Sequence, residues 1–213
     1  MKRLSIIAVL VVAAASTPAA AQSCQGYTPF AVAPLRVTGD LVFGDNTTQY
    51  GASFAGGQAQ PGLFGGVSVA GLKADNVDET AKSLGVFGGF SVAVSPTYPG
   101  LEFCPVASFD HTWFPDVAGT SVSANTVTLG GAIGRSLAAS PTLNIVPFVD
   151  LRWVHASVSA GDADGSDSAG QLGLGAGFVF SKTFTVRPVL LVPIAQDGAS
   201  TAFGISVGFN FGK

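Results

Sequence analysis

Charge is what this sequence most lacks. Asp, Glu, Lys and Arg make up only 11% of its 213 residues, against roughly a quarter in ordinary soluble domains. The formal net charge is −3, so nucleic acid is not expected as a partner. A chain that is 47% hydrophobic and so poor in charge does not fit an aqueous compartment.

Long hydrophobic runs are also missing after residue 21, so no membrane-spanning helix is expected there. The start is different. Lys2 and Arg3 precede an apolar run over 4–15, and the small residues 19–21 follow. This pattern is typical of a secretory signal peptide, and we place the cleavage after Ala21. The expected organisation is a signal peptide over 1–21 and one exported domain over 22–213.

Helical periodicity is absent as well, and alternation with a period of two takes its place. In the last segment, Phe203, Ile205, Val207, Phe209 and Phe211 alternate with Gly204, Ser206, Gly208, Asn210 and Gly212. The large residues share one strand face, and the small or polar face suits a crowded interior. Ten such segments are predicted: 30–43, 47–56, 63–73, 83–94, 101–113, 121–137, 143–157, 168–181, 184–194 and 202–211.

The connections between these segments fall into two alternating sets. Four are short and mostly contain Pro or Ser: 57–62, 95–100, 138–142 and 181–183. The other five carry nine of the thirteen acidic residues: 44–47, 74–80, 114–120, 159–168 and 195–201. Tight turns on one side and larger loops on the other are typical of bacterial membrane barrels. We predict an all-β, antiparallel, up-and-down transmembrane barrel with both termini periplasmic and acidic loops outside.

Taken together, these features resemble the small integral outer-membrane β-barrel proteins of Gram-negative bacteria, the OmpA-like and porin-like barrels. The resemblance implies residence in the outer membrane, with outer-membrane lipid around the wall. It also implies that the barrel-assembly machinery reads the last strand, where Phe209 and Phe211 would form the signal. It names no extracellular partner and does not choose among porin, adhesin, enzyme or structural roles.

A proline repeat favours ten strands over the alternative of eight. The segments FAVAP (30–34), LEFCP (101–105), LNIVP (143–147) and FTVRP (184–188) each read large, any, apolar, any, Pro. Because proline donates no ladder hydrogen bond, we expect bulges or interrupted pairing near these positions. The repeat makes residues 30–43 a true first strand.

Seven charged residues fall on the inner face of the predicted strands. A lipid-facing wall cannot hold them, so we expect them to pair across the lumen. One interpretation is a charged constriction in a narrow channel, and the other is a network that plugs the barrel. We favour the plug because narrow barrels fill with side chains. The seven are Arg36, Asp40, Glu102, Asp110, Asp150, Arg152 and Arg187.

The two cysteines, Cys24 and Cys104, are expected to pair, since the periplasm is oxidising. Both fall at the periplasmic mouth of the predicted barrel, where the residues from 24 to 30 are long enough to cross a narrow opening. We predict a disulfide that lays this segment across the mouth and obstructs the lumen.

Trp113 and Trp153 fall on the lipid side, near the outer ends of their strands, and are predicted to belong to the interface girdle. His111 and His155 share that face and are interpreted as interfacial, so no metal site is predicted. The closely spaced acids in 161–167 lack the spacing of a calcium-binding EF-hand and are interpreted as a solvated loop. No cofactor is expected.

An enzyme is the third functional class. Outer-membrane proteases with ten strands use acids and a histidine at the rim, and the candidates here are Asp110, Asp150 and His155. The alternation turns His155 toward lipid and the two aspartates inward, so no water-activating pair is expected. The predicted function is a non-enzymatic surface or structural protein, and the alternative is a narrow passive diffusion pore.

Overall fold

The protein forms a β-barrel that accounts for nearly all of the described chain. The computed structural model describes residues 23–30, 32–58, 62–75, 78–94, 97, 100–117, 119–194 and 200–212. The predicted signal peptide over 1–21 lies outside these residues. Within them, no helix is long and apolar enough to cross a membrane.

Ten long strands build the wall, and two short ones extend it. β5 continues β4 beyond Ser91, and β8 continues β7 beyond Ser136. The bounds are β1 Leu35–Gly44, β2 Thr47–Gly57, β3 Leu63–Ala74, β4 Thr80–Phe90, β5 Val92–Ala93, β6 Leu101–Val117, β7 Thr120–Arg135, β8 Leu137–Ser140, β9 Leu143–Ala160, β10 Ala163–Phe180, β11 Phe184–Ile194 and β12 Ala202–Phe211.

Each long strand pairs antiparallel with the next, and the last pairs with the first. The closing seam runs from Leu35↔Phe211 to Phe43↔Phe203. The predicted up-and-down barrel with ten strands is therefore confirmed, and the alternative of eight strands is wrong. We call the end where β1 begins and β12 ends the terminal end, and the other the opposite end.

The first predicted strand begins too early. Residues 30–34 lie before β1, which starts at Leu35. The physical reason is that Phe30 turns into the lumen, where its ring stacks on Phe64 with centroids 6.2 Å apart. Pro34 keeps one backbone contact, since its carbonyl accepts a hydrogen bond from the amide of Gly57 at 2.9 Å.

Two predicted loops are mostly strand. β6 runs to Val117 and β7 begins at Thr120, while β9 and β10 leave only Gly161 and Asp162 between them. Gly161 takes a φ of 59° at the first position of this two-residue turn, a conformation in which glycine is favoured. The acids and glycines of 159–168 indicated a loop, yet the register from Ala163↔Ala160 onward is unbroken.

The strands therefore form two walls of unequal length. β11, β12 and β1 to β4 are 10 to 12 residues long and make the short wall. β6, β7, β9 and β10 are 16 to 18 residues long and make the long wall. At about 3.3 Å per residue, the long strands reach roughly 20 Å farther than the short ones.

Three of the four repeat prolines coincide with interruptions in the ladder. The register of β4 with β6 stops at Gly89↔Val106 and resumes in β5 at Val92↔Phe103, which leaves Pro105 in the gap. Pro147 lies in the gap between β7 and β8, and Pro188 in a gap between β10 and β11. In each case the gap faces the preceding strand, while pairing with the following strand continues.

Candidate functional site: a lumen closed by residues 23–30

The segment before β1 lies inside the barrel. We call residues 23–30 the plug segment. It starts with one 3-10 turn, Ser23–Gln25, and from Cys24 onward all of its residues except the half-buried Pro29 are buried. Cys24, Gln25 and Tyr27 are 0% exposed, and Thr28 and Phe30 are 3% and 2% exposed. A segment buried this completely must be held by specific contacts with the wall.

A disulfide bond fixes the plug segment to the long wall. Cys24 and Cys104 are bonded, with their Cα atoms 5.9 Å apart and a separation of 80 positions in sequence. The predicted disulfide is confirmed. The segment enters the lumen, however, whereas the sequence predicted that it crosses the mouth. The bonded cysteines belong to an apolar cluster with Phe30, Phe64 and Val106, which explains why the segment is drawn inward.

Two arginines from the short wall hold the ring of Tyr27 between them. The guanidinium carbon of Arg36 on β1 lies 4.5 Å from the ring centroid, and that of Arg187 on β11 lies 4.9 Å away. Arg36 also lies over Phe30 and Arg187 over Phe148. Guanidinium groups over aromatic faces attract the ring quadrupole, and the attraction is larger when both are shielded from water.

The same arginines bind the backbone of the plug segment. Arg36 donates to the carbonyl oxygen of Thr28, and its Nε donates to Oδ1 of Asn210 at 2.9 Å. Arg187 donates to the carbonyl oxygen of Gln25 at 3.2 Å and to Oγ of Ser206 at 3.3 Å. Each guanidinium therefore links a plug carbonyl to a side chain of β12, which closes the barrel against β1.

Inward-facing glycines make room for the plug segment. A Cβ at Gly177 on β10 would overlap the carbonyl group of Gly26, and a Cβ at Gly57 on β2 would overlap the ring of Phe30. A Cβ at Gly208 would lie 3.2 Å from the ring of Tyr27. The small inner face that alternation indicated is thus the surface against which the plug segment packs.

The wall itself contributes further buried polar and charged side chains to the lumen. Asp150 and Arg152 form an ion pair with Nε and Oδ1 2.9 Å apart, and both are almost fully buried. Asp110 accepts a hydrogen bond from Oγ of Ser108 at 3.2 Å. Asp40 is also buried, with Oγ1 of Thr38 3.5 Å from one of its oxygens.

The seven predicted lumenal charges thus separate into groups. Asp150 pairs with Arg152, while Arg36 and Arg187 turn to the plug segment. Six of the seven are buried, and Glu102 is half-buried. An internal cavity beside Arg152 and Arg187 has a volume of about 10 Å³, which is room for about one water molecule.

The outer surface of the barrel carries the two tryptophans. Trp113 and Trp153 are 50% and 45% exposed and lie on the face that would contact lipid. His111 packs edge-on against Trp113 with ring centroids 4.4 Å apart, and His155 stacks on Trp153 at 5.7 Å. Both histidines therefore lie on the opposite side of the wall from Asp110 and Asp150.

The proposed assembly signal also lies on the outer surface. Phe209 is exposed, and its ring stacks with that of Phe211 at 6.3 Å. Phe211 further contacts Phe54 on β2, with centroids 6.4 Å apart. Their role in assembly stays a prediction.

Sequence reasoning missed the aromatic part of the plug. Tyr27 and Phe30 were not singled out, although they are the two aromatic residues of the segment that follows Cys24. The alternation marks Asn210 only as a small polar residue of the inner face. In the structure its Oδ1 accepts the hydrogen bond from Nε of Arg36 and so orients that guanidinium. Among the described residues, no three His, Cys, Asp or Glu side chains form a cluster that would hold a metal ion.

Comparisons with known proteins match the fold. No family model matches the chain, and no curated protein matches it either. The β domain of the Bordetella autotransporter BrkA superimposes with a TM-score of 0.50 at 13% identity, covering 83% of this chain and 98% of that one. The chain has the outer-membrane β-barrel fold.

Other outer-membrane barrels are similar at lower TM-scores. The KdgM porin gives a TM-score of 0.42 at 8% identity, covering 83% of this chain and 99% of its own. The N-terminal barrel domain of Pseudomonas aeruginosa OprF gives 0.37 at 13% identity, covering 83% and 96%. At these identities the likeness concerns the fold alone, so the role of this barrel must be argued from its own residues.

Proposed function

We propose that this protein is a non-enzymatic outer-membrane barrel with a closed lumen, which acts through its outer surface in a surface or structural role. The observation that carries the proposal is the plug segment. It is bonded covalently to one wall and bound through two arginines to the other. A passive pore needs a continuous aqueous path, and this segment occupies the terminal half of the lumen.

The filling of the remaining lumen supports the same conclusion. Thr126, Gln171 and Leu191 project from three different strands and are 0%, 3% and 4% exposed. The Asp150–Arg152 ion pair is buried in the lumen as well. An ion crossing this barrel would have to displace both the plug and these side chains.

The positions of the catalytic candidates support a non-enzymatic role. Asp110 and Asp150 face the lumen, whereas Nδ1 of His155 lies 2.9 Å from Oγ of Ser168 on the outer surface. A general base must lie within hydrogen-bond reach of the group that it activates, and the wall separates these residues.

The test is conductance of the oxidised, full-length protein in planar lipid bilayers. We expect no discrete current steps, because the lumen is closed. Solute-driven swelling of proteoliposomes provides a second readout, with incorporation quantified and a general porin reconstituted in parallel at the same ratio of protein to lipid.

A matched variant isolates the plug. In the Cys24→Ser, Cys104→Ser protein, the plug segment keeps only its non-covalent contacts, so any current that appears there and not in wild type would be due to release of the plug. Discrete steps from the oxidised wild type would contradict the proposal and favour the narrow pore.

A further inference from the structure

The outward face of the long wall changes its chemistry partway along the strands. On β9 the outward residues Val149, Leu151 and Trp153 are followed by His155 and then by two serines. On β10 two leucines are followed by Ser168 and Ser166, and on β7 Leu129 and Val127 are followed by Asn125 and Ser123. Along these strands the same outward face is therefore apolar where it contacts lipid and rich in hydroxyl groups farther from the terminal end.

These polar residues form one continuous surface. The register pairs Ser123 with Ser159 and Asn125 with Ser157, and it pairs Ser157 with Ser166 on the next strand. Directly opposed residues on one face of an antiparallel pair have Cβ atoms about 5 Å apart. We call this surface, made of Ser123, Ser157, Ser159 and Ser166, the serine face.

Where the apolar surface ends, the strands carry a row of polar and cationic side chains. We call this row the boundary belt. It consists of Lys73, Lys82, His111, Asn125, His155 and Ser168, on six strands that are adjacent around the barrel.

Hydrogen bonds and ring contacts fix the central part of the belt. Nδ1 of His111 lies 2.7 Å from Oδ1 of Asn125 on the neighbouring strand, and Nδ1 of His155 lies 2.9 Å from Oγ of Ser168. Each imidazole also packs on a tryptophan. The two aromatic pairs are thereby oriented at the depth where indole rings sit between lipid tails and headgroups.

The belt is cationic at one end. Lys82 pairs in register with Trp113 on β6 and with Gly71 on β3, which places Lys73 diagonally across from Lys82. Diagonal neighbours on one face are about 7–8 Å apart, a span that one phosphorylated headgroup can bridge. Within the described strands, outward-facing positions between the terminal end and the belt carry no acidic residue, while beyond the belt one outward acid, Asp164, lies opposite Ser159 of the serine face.

We propose that the boundary belt and the serine face bind the headgroup of an outer-leaflet glycolipid carrying phosphorylated sugars. The ammonium groups of the two lysines bind the phosphate, and the hydroxyl, amide and indole groups bind the sugar. The occupant is a lipid headgroup because the surface continues the lipid-contacting face, so the layer directly against it is the headgroup layer.

Like the surface role in the proposed function, this inference rests on the orientation predicted from the sequence, in which the opposite end of the barrel faces the cell exterior. A peptide tag inserted at 161–162 should be labelled on intact cells, and one inserted in 181–183 should not. The reverse pattern would overturn the inference.

The binding test uses the full chain in phosphatidylcholine micelles, titrated with purified lipopolysaccharide lacking O-antigen. The readout is intrinsic fluorescence, since Trp113 and Trp153 are the only two tryptophans of the sequence and both adjoin the belt. Phosphatidylglycerol, which has a phosphate but no sugar ring, is the comparison probe. We expect tighter binding of the lipopolysaccharide.

Two sets of variants locate the site. Lys73→Gln with Lys82→Gln should weaken lipopolysaccharide binding about 25-fold, since each lysine near an anionic lipid surface contributes about fivefold. Lys182→Gln, in a turn at the terminal end, is the matched control and should change nothing. Ser157→Ala with Ser159→Ala should weaken binding of lipopolysaccharide but not of phosphatidylglycerol.

Three results would overturn the inference: equal affinity for both lipids, unchanged affinity in the double lysine variant, or an equal loss in Lys182→Gln. A conducting wild type would contradict the closed lumen but would not alter these binding ratios, so the two proposals fail separately.

Discussion

The short and long walls of this barrel differ in one respect that explains their lengths. In the short wall, the outward residues remain large and apolar almost to the strand ends, as from Val37 to Phe43 on β1 and from Phe203 to Phe209 on β12. On three strands of the long wall, β7, β9 and β10, the outward residues become serine, asparagine and histidine well before the strands end, whereas on β6 His111 is followed by Trp113.

The difference teaches that strand length and membrane thickness are specified separately. The apolar band of a bacterial barrel is about 25 Å tall, and both walls supply it. The long wall then continues as paired strand, because the ladder between neighbouring strands satisfies the backbone groups wherever the side chains lie. The plug segment connects the two walls, with its disulfide on β6 and its arginine partners on β1 and β11.

Removing the covalent link to the long wall should have the largest effect. In Cys24→Ser, Cys104→Ser, the free energy of unfolding should fall by about 4 kcal/mol, because the bond closes a long loop in the unfolded chain. The measurement is urea unfolding in lipid vesicles, followed by tryptophan fluorescence. A loss below about 1 kcal/mol would mean that the non-covalent contacts alone hold the plug.

An arginine introduced at either of two outward positions on β9 should show which part of the strand lies in the membrane and which part lies outside it. Leu151→Arg should lower the free energy of unfolding by about 2–4 kcal/mol, since it places a cation on the lipid face, whereas Ser159→Arg should cost about 0–1 kcal/mol. Vesicle unfolding of both variants measures the difference. Equal losses would show that the serine face lies within the membrane and would erase the distinction between the walls.

Removing one arginine of the short wall should have an intermediate effect. Arg187→Met deletes hydrogen bonds to Gln25 and Ser206 and one guanidinium beside Tyr27, and we expect a loss of about 2 kcal/mol. Lys182→Met is the control, because Lys182 is exposed in a turn and should change stability by less than about 0.5 kcal/mol. Identical stability of the two variants would remove the role of Arg187 in holding the plug.

The smallest effect is expected at the closing seam of the short wall. Phe211→Ala should lower the yield of barrel in outer membranes more than Phe209→Ala does, because Phe211 is the last aromatic residue of the predicted assembly signal. Phe209, the other member of that signal and the more exposed ring, is the comparison variant. Quantitative immunoblotting of outer-membrane fractions gives the ratio, and equal yields would make Phe211 one more lipid-facing residue.

Most of the fold was predictable because alternation is a local signal. The inward and outward faces of β12 can be read directly from 202–211, and the sequence of turns and loops gave the correct number of strands. The disulfide followed from the compartment and from the shared end of the barrel. The length of the β9–β10 hairpin was not predictable, since the composition of 159–168 indicated a loop while pairing with the opposite strand overrode it.

The interior of the plug was not predictable for a different reason. Tyr27 is held by residues 9 and 160 positions away in sequence, and no local pattern marks that pairing. The alternation shows that Gly57, Gly177 and Gly208 lie on the inner face. It does not show why they must be small, because the segment that packs against them lies elsewhere in the chain. Long-range packing of a non-periodic segment is the part of the structure that periodicity does not encode.

The proline gaps have a consequence for the order in which the barrel forms. Pro105, Pro147 and Pro188 coincide with gaps in the pairing with the preceding strand only, and the hairpins β6–β7, β9–β10 and β11–β12 stay paired through the prolines. The wall is thus divided into hairpins with weak joints between them at the terminal end. A hairpin forms within microseconds, far faster than a whole barrel assembles. We therefore expect each hairpin to complete its own ladder before it docks on its neighbour, so that the joints beside the prolines close last.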